Sequence, residues 1–152
     1  MSDPKDAYVT ISYSPGQDPP FQLNTGLPVG RDGEIIFKND GHPGFWVHYT
    51  LDDSFGDYVF PNDEQQALCS AVIEDGQNSC PDEGVWGEFY PHRVKDRNRT
   101  LVVRNINGKL PKGKDEVRFG YTLYVTENPN GDGDFLGLDP IGSNQNGNTG
   151  KF

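Results

Sequence analysis

The sequence predicts an all-β protein: an antiparallel or mixed Greek-key β-sandwich of seven to eight short strands, with one short helix. Three observations carry this. Apolar and polar residues alternate with a period of two, most clearly in FWVHYTLDD (Phe45 to Asp53) and VRFGYTLYVTE (Val117 to Glu127), the pattern of strands that bury one face. Nineteen Gly and twelve Pro punctuate 152 residues, which breaks the chain into short elements joined by turns. Hydrophobic residues make up only 33%, but nine Phe, seven Tyr and two Trp are among them, so a thin core is built largely from rings.

The elements follow in order. AYVTISYS (Ala7 to Ser14) sets Val9, Ile11 and Tyr13 on one face, and SPGQDPP ends it. FQLNTGLPV is a broken extended segment, and GRDG is a turn. EIIFKN directs Ile35 and Phe37 inward, and DGHPG turns the chain into Phe45 to Asp53. In that segment Phe45, Val47, Tyr49 and Leu51 oppose Trp46, His48, Thr50 and Asp52. Next, PNDEQQALCSAVIEDG reads as the helix, from about Asp63 to Ile73: Asn62 is a cap, Ala67, Leu68, Ala71 and Val72 recur at helical spacing, and Gly76 stops it. VWGEFYPHRV and RTLVVRNIN are strands, and KLPKGKDE is a loop. Val117, Phe119, Tyr121, Leu123 and Val125 share the inner face of the best-patterned strand, which leaves Thr126 outside. FLGLDPI is a last short strand. A single domain therefore spans residues 1–142, and the polar residues 143–152 read as a flexible tail.

Two stretches together resemble a known family. EIIFKNDGHPGFWVHYTLDD is similar to the strand-turn-strand that carries the first copper ligand in plastocyanin-like cupredoxins. FGYTLYVTENPNGDGDFLGLDPI is similar to the last hairpin of that fold, which carries the other three. The resemblance implies a cupredoxin-like sandwich, but not its metal. A blue-copper site takes two His, one Cys and an axial Met, and the aligned positions hold Phe45, Val125 and Asn128, with no Met after Met1. The expectation is a copper-free scaffold.

Charge and composition narrow the function. The net charge of −10 opposes phosphate-backbone binding, which needs clustered Lys and Arg. The one basic run, HRVKDRNRT (His92 to Thr100), reads as a solvated turn. No apolar run reaches the length of a membrane span, and the N-terminus has no secretory pattern. No nucleic acid and no membrane are therefore expected, and a cytoplasmic location is the default. Cys69 and Cys80 are eleven apart, compatible with a disulfide worth up to roughly 3 kcal/mol or with two free thiols in a reducing compartment.

The acidic loop after the best strand is the one motif with metal-ligand spacing. Asn128, Asn130 and Asp132 hold places one, three and five of a twelve-residue calcium loop, Gly133 the sixth and Asp139 the twelfth, with Asp134 between. Such a site would hold calcium weakly, as the sole cofactor. The competing reading is a long hairpin turn, because Asn, Asp and Gly are also what turns use. Asn98-Arg99-Thr100 is a glycosylation sequon. Trp46, Trp86 and Tyr90 are candidates for an aromatic surface, and no catalytic set is spaced for chemistry. The leading expectation is a non-enzymatic binding or assembly module for a protein partner or for self-assembly. A calcium-dependent structural or adhesive domain and an unspecified hydrolase are the alternatives.

Overall fold

The computed structural model describes residues 3–31, 33–39, 43–72, 86–107, 116–130 and 134–146. Among the described residues ten strands form two mixed sheets, and two 3-10 turns span Asp53–Phe55 and Glu64–Gln66. β1 (Lys5–Tyr13), β2 (Phe21–Thr25), β4 (Phe45–Leu51), β6 (Phe89–Lys95) and β7 (Thr100–Asn105) build sheet A in the order β2-β1-β4-β7-β6. β3 (Ile35–Asn39), β5 (Leu68–Val72), β8 (Glu116–Thr126), β9 (Phe135–Leu138) and β10 (Ile141–Asn146) build sheet B, in the order β3-β10-β8-β5 with β9 also on β8. Two pairings are parallel, β1 with β4 and β3 with β10. The all-β class is as expected, with ten strands among the described residues in place of seven or eight.

Alternation places the core. Along β4 every second residue is buried, Phe45, Val47, Tyr49 and Leu51. Val9 and Ile11 from β1, Leu101 and Val103 from β7 and Phe89 from β6 join them from sheet A. Sheet B answers with Ile35, Phe37, Phe119, Tyr121, Leu123, Val125 and Leu138. The rings interlock across the gap: Phe89 lies 4.6 Å from Phe119 and 4.9 Å from Tyr121, and Phe37 lies 5.4 Å from Phe45. Offset and edge-on contacts at these distances are the favoured aromatic geometries.

Polar ties also cross the core. Tyr49 Oη donates to Tyr121 Oη at 2.8 Å, with both rings fully buried. The amides of Asn105 on β7 and Asn144 on β10 bond reciprocally at 2.7 and 2.9 Å. Asn107 Nδ2 donates to the carbonyl of Phe37. Each tie satisfies groups that would be costly to bury alone. Two glycines are needed where backbones come close. A Cβ on Gly142 would sit 2.4 Å from the Phe119 ring, and one on Gly44 (φ +94) 2.2 Å from the Asn105 carbonyl oxygen.

Three expectations are corrected. The helix expected from Asp63 to Ile73 does not form over the described residues 63–72: Asp63 caps the 3-10 turn Glu64–Gln66, and Leu68–Val72 is β5 on the edge of β8, while Ile73 lies outside the described residues. The helical spacing of Ala67, Leu68, Ala71 and Val72 is equally compatible with a five-residue strand, and ladder bonds from β8 decide between them. The tail does not begin at residue 143, because β10 runs to Asn146, with Ser143 and Asn144 buried. Thr126 is buried although it faces away from Val125, because Val59 pairs with it.

The tyrosine pair yields a prediction. Burial pushes the Tyr49 hydroxyl well above the ordinary tyrosine range, helped by Tyr121, and burial pushes Tyr121 up as well. Both stay neutral in the folded chain, while the unfolded chain ionises near pH 10. Stability is therefore full below about pH 10 and falls above it, by about 1.4 kcal/mol per pH unit for each tyrosine. Tyr49→Phe should cost about 1–3 kcal/mol at neutral pH because it strands the Tyr121 hydroxyl, and Tyr49→Phe with Tyr121→Phe should cost less than the single change. Urea unfolding at pH 7 and pH 11 checks both statements, and a double variant less stable than the single one would contradict the pairing.

Candidate functional site

The hairpin after β8 comes first. Register is continuous along one edge of β8, from Thr126 opposite Phe135 to Leu123 opposite Leu138, and from Gly120 opposite Ile141 to Glu116 opposite Gln145. Between them Tyr121 N donates to the Pro140 carbonyl. This ladder separates the ends of the calcium-like loop. Asn128 is held at Thr126, whose Oγ1 accepts from its backbone N–H at 3.0 Å. Asp139 is held at Thr122, whose Oγ1 donates to its carboxylate at 2.5 Å. Four residues of strand, roughly 13 Å, divide the two, whereas ligands of one calcium lie within about 5 Å of each other. The expected shell is thus corrected: Asp139 cannot close a site begun by Asn128. Asn130 Oδ1 accepts from Asn62 Nδ2 at 2.9 Å, and Asp134 is exposed. Asp132 lies outside the described residues. Among the described residues no three His, Cys, Asp or Glu side chains converge.

Asp139 instead lines a cleft of about 370 Å³ with Phe21, Leu23, Val29 and Pro140. Of the positions aligned with copper ligands, Phe45 and Val125 are buried in the core and Asn128 is exposed. Cys69 is disulfide-bonded, and Cys80, the chain's other cysteine, lies outside the described residues. The sequon amide is engaged in the fold, with Asn98 Nδ2 donating to the Phe60 carbonyl and to Asn62 Oδ1. The basic run supplies a clamp, because Arg99 donates to the carbonyls of Leu51, Asp52 and Gly56.

The aromatic candidates divide. Trp86 packs 5.3 Å from Phe119 and its backbone N–H donates to Ser70, so it serves the core. Trp46 and Tyr90 lie on the outer face of sheet A, and there the structure assembles more than the sequence reading named. In one cross-strand row Asp6 pairs with Trp46, Trp46 with Arg104, and Arg104 with Tyr90. In the next, Tyr8 pairs with His48, His48 with Val102, and Val102 with Arg93. The Arg104 guanidinium lies 5.2 Å over the Trp46 ring, and the His92 ring lies 4.7 Å on another side. Arg104 is fixed by donating to the carbonyls of Phe45, Asn105 and Pro43. Tyr8 stacks on His48 at 4.7 Å and yet is 65% exposed, and His48 Nε2 is 2.9 Å from Asp6 Oδ1. Further along the same face the rows become polar, with Thr50 and Thr100 bonded at 3.0 Å.

Sequence reasoning missed Tyr8, His48, His92, Arg93 and Arg104. The available signal was parity: Tyr8, Trp46 and His48 all alternate with buried residues of β1 and β4. His48 is poorly placed for proton transfer. Its Nε2 is taken by Asp6, and its Nδ1 is buried with no hydrogen-bond partner. No protein-family model matches the chain, and no curated protein is similar to it.

The register makes the Asp139 contact structural. Asp139→Ala should lower stability by about 1 kcal/mol through loss of the Thr122 bond, and by the same amount with EDTA as with about 10 mM calcium, a concentration that would saturate a weak loop. Paired thermal melts test this. A calcium-induced rise in the wild type that disappears in the variant would overturn it.

Proposed function

We propose that the chain is a non-enzymatic β-sandwich module that binds through the outer face of sheet A. The observation that carries this is the stacked row system: Tyr8 on His48, and Trp46 under Arg104 with Tyr90 beyond. Trp, Tyr and Arg are the side chains that dominate binding energy when they are covered by a partner. Here they are held in place before binding. Arg104 is fixed by three carbonyls and His48 by Asp6, so little side-chain freedom is lost on contact. Four strands of the face, β1, β4, β7 and β6, are joined by hydrogen-bonded ladders, with one register shift between Pro91 and Arg93 on β6. The cupredoxin-like resemblance fits this reading as that of a scaffold used without copper, its ligand positions filled by Phe45, Val125 and Asn128.

Trp46 is a built-in reporter. With Trp86→Phe, it is the only tryptophan. Acidic peptides, neutral and acidic oligosaccharides, and the unlabelled protein itself are titrated while its emission is followed. At least one should shift the spectrum saturably, and Tyr8→Ala with Arg93→Ala should weaken that response about tenfold or more. A silent Trp46 across the whole panel would overturn the proposal.

A further inference from the structure

We propose a second binding site, independent of the outer face of sheet A: the free edge of β2 takes an extended peptide as an added strand, with apolar residues at alternate positions and one lysine or arginine that reaches Asp139. The edges of the two sheets are not alike. β5 and β6 are tied to each other, since Trp86 N donates to the Ser70 carbonyl and Ser70 Oγ donates to the Phe89 carbonyl. β6 also carries Pro91 and a register shift beside it, and both spoil an edge as a template. The edge of β3 is covered by the segment before it: Val29 pairs with Ile35, Ile36 N donates to the Pro28 carbonyl, and Gly30 N donates to the Glu34 carbonyl. β2 has no such cover. Its sequence, FQLNT, holds no charge and no proline, and its register with β1 is unbroken from Phe21 to Thr25. Charges, prolines, bulges and covering segments are the devices that blunt an edge, and among the described residues β2 has none of them.

Hydrogen-bond parity identifies the groups that β2 offers. The Ile11 carbonyl accepts from Asp52 N, on the β4 side, whereas Ser14 N donates to the Pro20 carbonyl on the β2 side. In a strand the N–H and C=O of one residue point to the same side, and successive residues alternate. Gln22 and Asn24, opposite Ser12 and Thr10, therefore bond β1, and Phe21, Leu23 and Thr25 turn their N–H and C=O groups to the free edge. Among the described residues nothing accepts from or donates to these backbone groups. The Phe21 and Leu23 side chains stand opposite Tyr13 and Ile11 and pack on the core, yet both stay half-buried.

Beside this edge lies the cleft of about 370 Å³ lined by Phe21, Leu23, Val29, Asp139 and Pro140. Val29 is 54% exposed. A strand added to β2 at the usual spacing of about 4.8 Å would enter the cleft and set every second side chain against Phe21, Leu23 and Val29. An extended peptide supplies both parts of this match, a row of backbone donors and acceptors and alternate side chains for the apolar wall. Charge adds a preference. Asp139 is the one charged side chain among the described residues that line the cleft. Its Oδ1 accepts from Thr122, and the residue is exposed, which leaves Oδ2 for a cation. Asp18 and Arg31, exposed next to lining segments, offset each other and do not line it. A single basic side chain on the peptide therefore meets an unopposed carboxylate.

Residue-resolved amide hydrogen exchange on the full chain tests this. In the free protein the amides of Phe21, Leu23 and Thr25 should exchange fast, and those of Gln22 and Asn24 slowly. The probes are seven-residue peptides with valine or isoleucine at alternate positions and one lysine, its place varied across the set, together with the same peptides carrying a central proline. At least one lysine peptide should saturably slow the Phe21 and Leu23 amides, and its proline version should not. Val29→Lys, at an exposed position, should weaken that peptide about tenfold or more by removing apolar burial. Asp139→Asn, which can still accept from Thr122, should weaken it about twofold to fivefold and should leave the affinity of the glutamine-for-lysine peptide unchanged. Thermal melts verify that both variants fold. Slow exchange at Leu23 in the free protein, no slowing by any peptide, or equal slowing by the proline versions would each overturn strand addition at β2. A peptide that shifts Trp46 emission and leaves the Phe21 and Leu23 amides unchanged would place binding on the outer face alone: this proposal falls and the proposed function stands. Slowed Phe21 and Leu23 amides with a Trp46 silent to the whole panel would give the reverse.

Discussion

The continuous register of β8 with β9 and β10 is the constraint on which the rest of the architecture depends. It holds one eleven-residue strand against two short ones that no hydrophobic pattern would have aligned. That alignment places Gly142 over the Phe119 ring, where a methyl group would collide. It carries Asn144 inward to meet Asn105 of the other sheet. It also confines the hairpin tip to the residues beyond Thr126 and sends Asp139 back along the ladder, far from Asn128. Packing, the cross-sheet polar ties and the fate of the acidic loop thus share one cause.

Sheet A depends on a different device. Its central strands are pinned at one end by Gly44, which passes close to the Asn105 carbonyl, and by Arg104, which gathers the carbonyls around it. The same guanidinium then covers Trp46 on the outer face. One side chain therefore connects the integrity of the sheet with the geometry of the surface proposed to bind. A module built this way presents rings whose positions are set by the fold.

The parts of the fold legible in the sequence are those in which burial alternates strictly. β4 and the inner series of β8 could be read because water and core impose a period of two on them. β5 was misread because five residues are too few to separate the two periods, and its strand state comes from β8, distant in sequence. β10 was misread because its buried residues are Ser143 and Asn144, stabilised by hydrogen bonds that depend on partners elsewhere. The candidate surface was legible in Trp46 and Tyr90. Arg104 was not, since only the β4–β7 register brings it over the Trp46 ring. Trp86 had the right chemistry for a surface and was taken by the core.

The parallel pairing of β3 with β10 has a consequence for the order in which the chain can be completed on a ribosome. Ile35 lies opposite Gly142, so β3 waits for about a hundred further residues before β10, its ladder partner among the described strands, exists. During that interval Ile35 and Phe37, both destined for the core, lack the neighbouring strand of their own sheet, although Phe45 and Phe89, which pack on the Phe37 ring, come earlier. Vectorial synthesis therefore cannot finish this domain piece by piece from the N-terminus. Sheet B closes only when the last strand emerges, and such non-local closure is slow and leaves sticky edges exposed while it is pending.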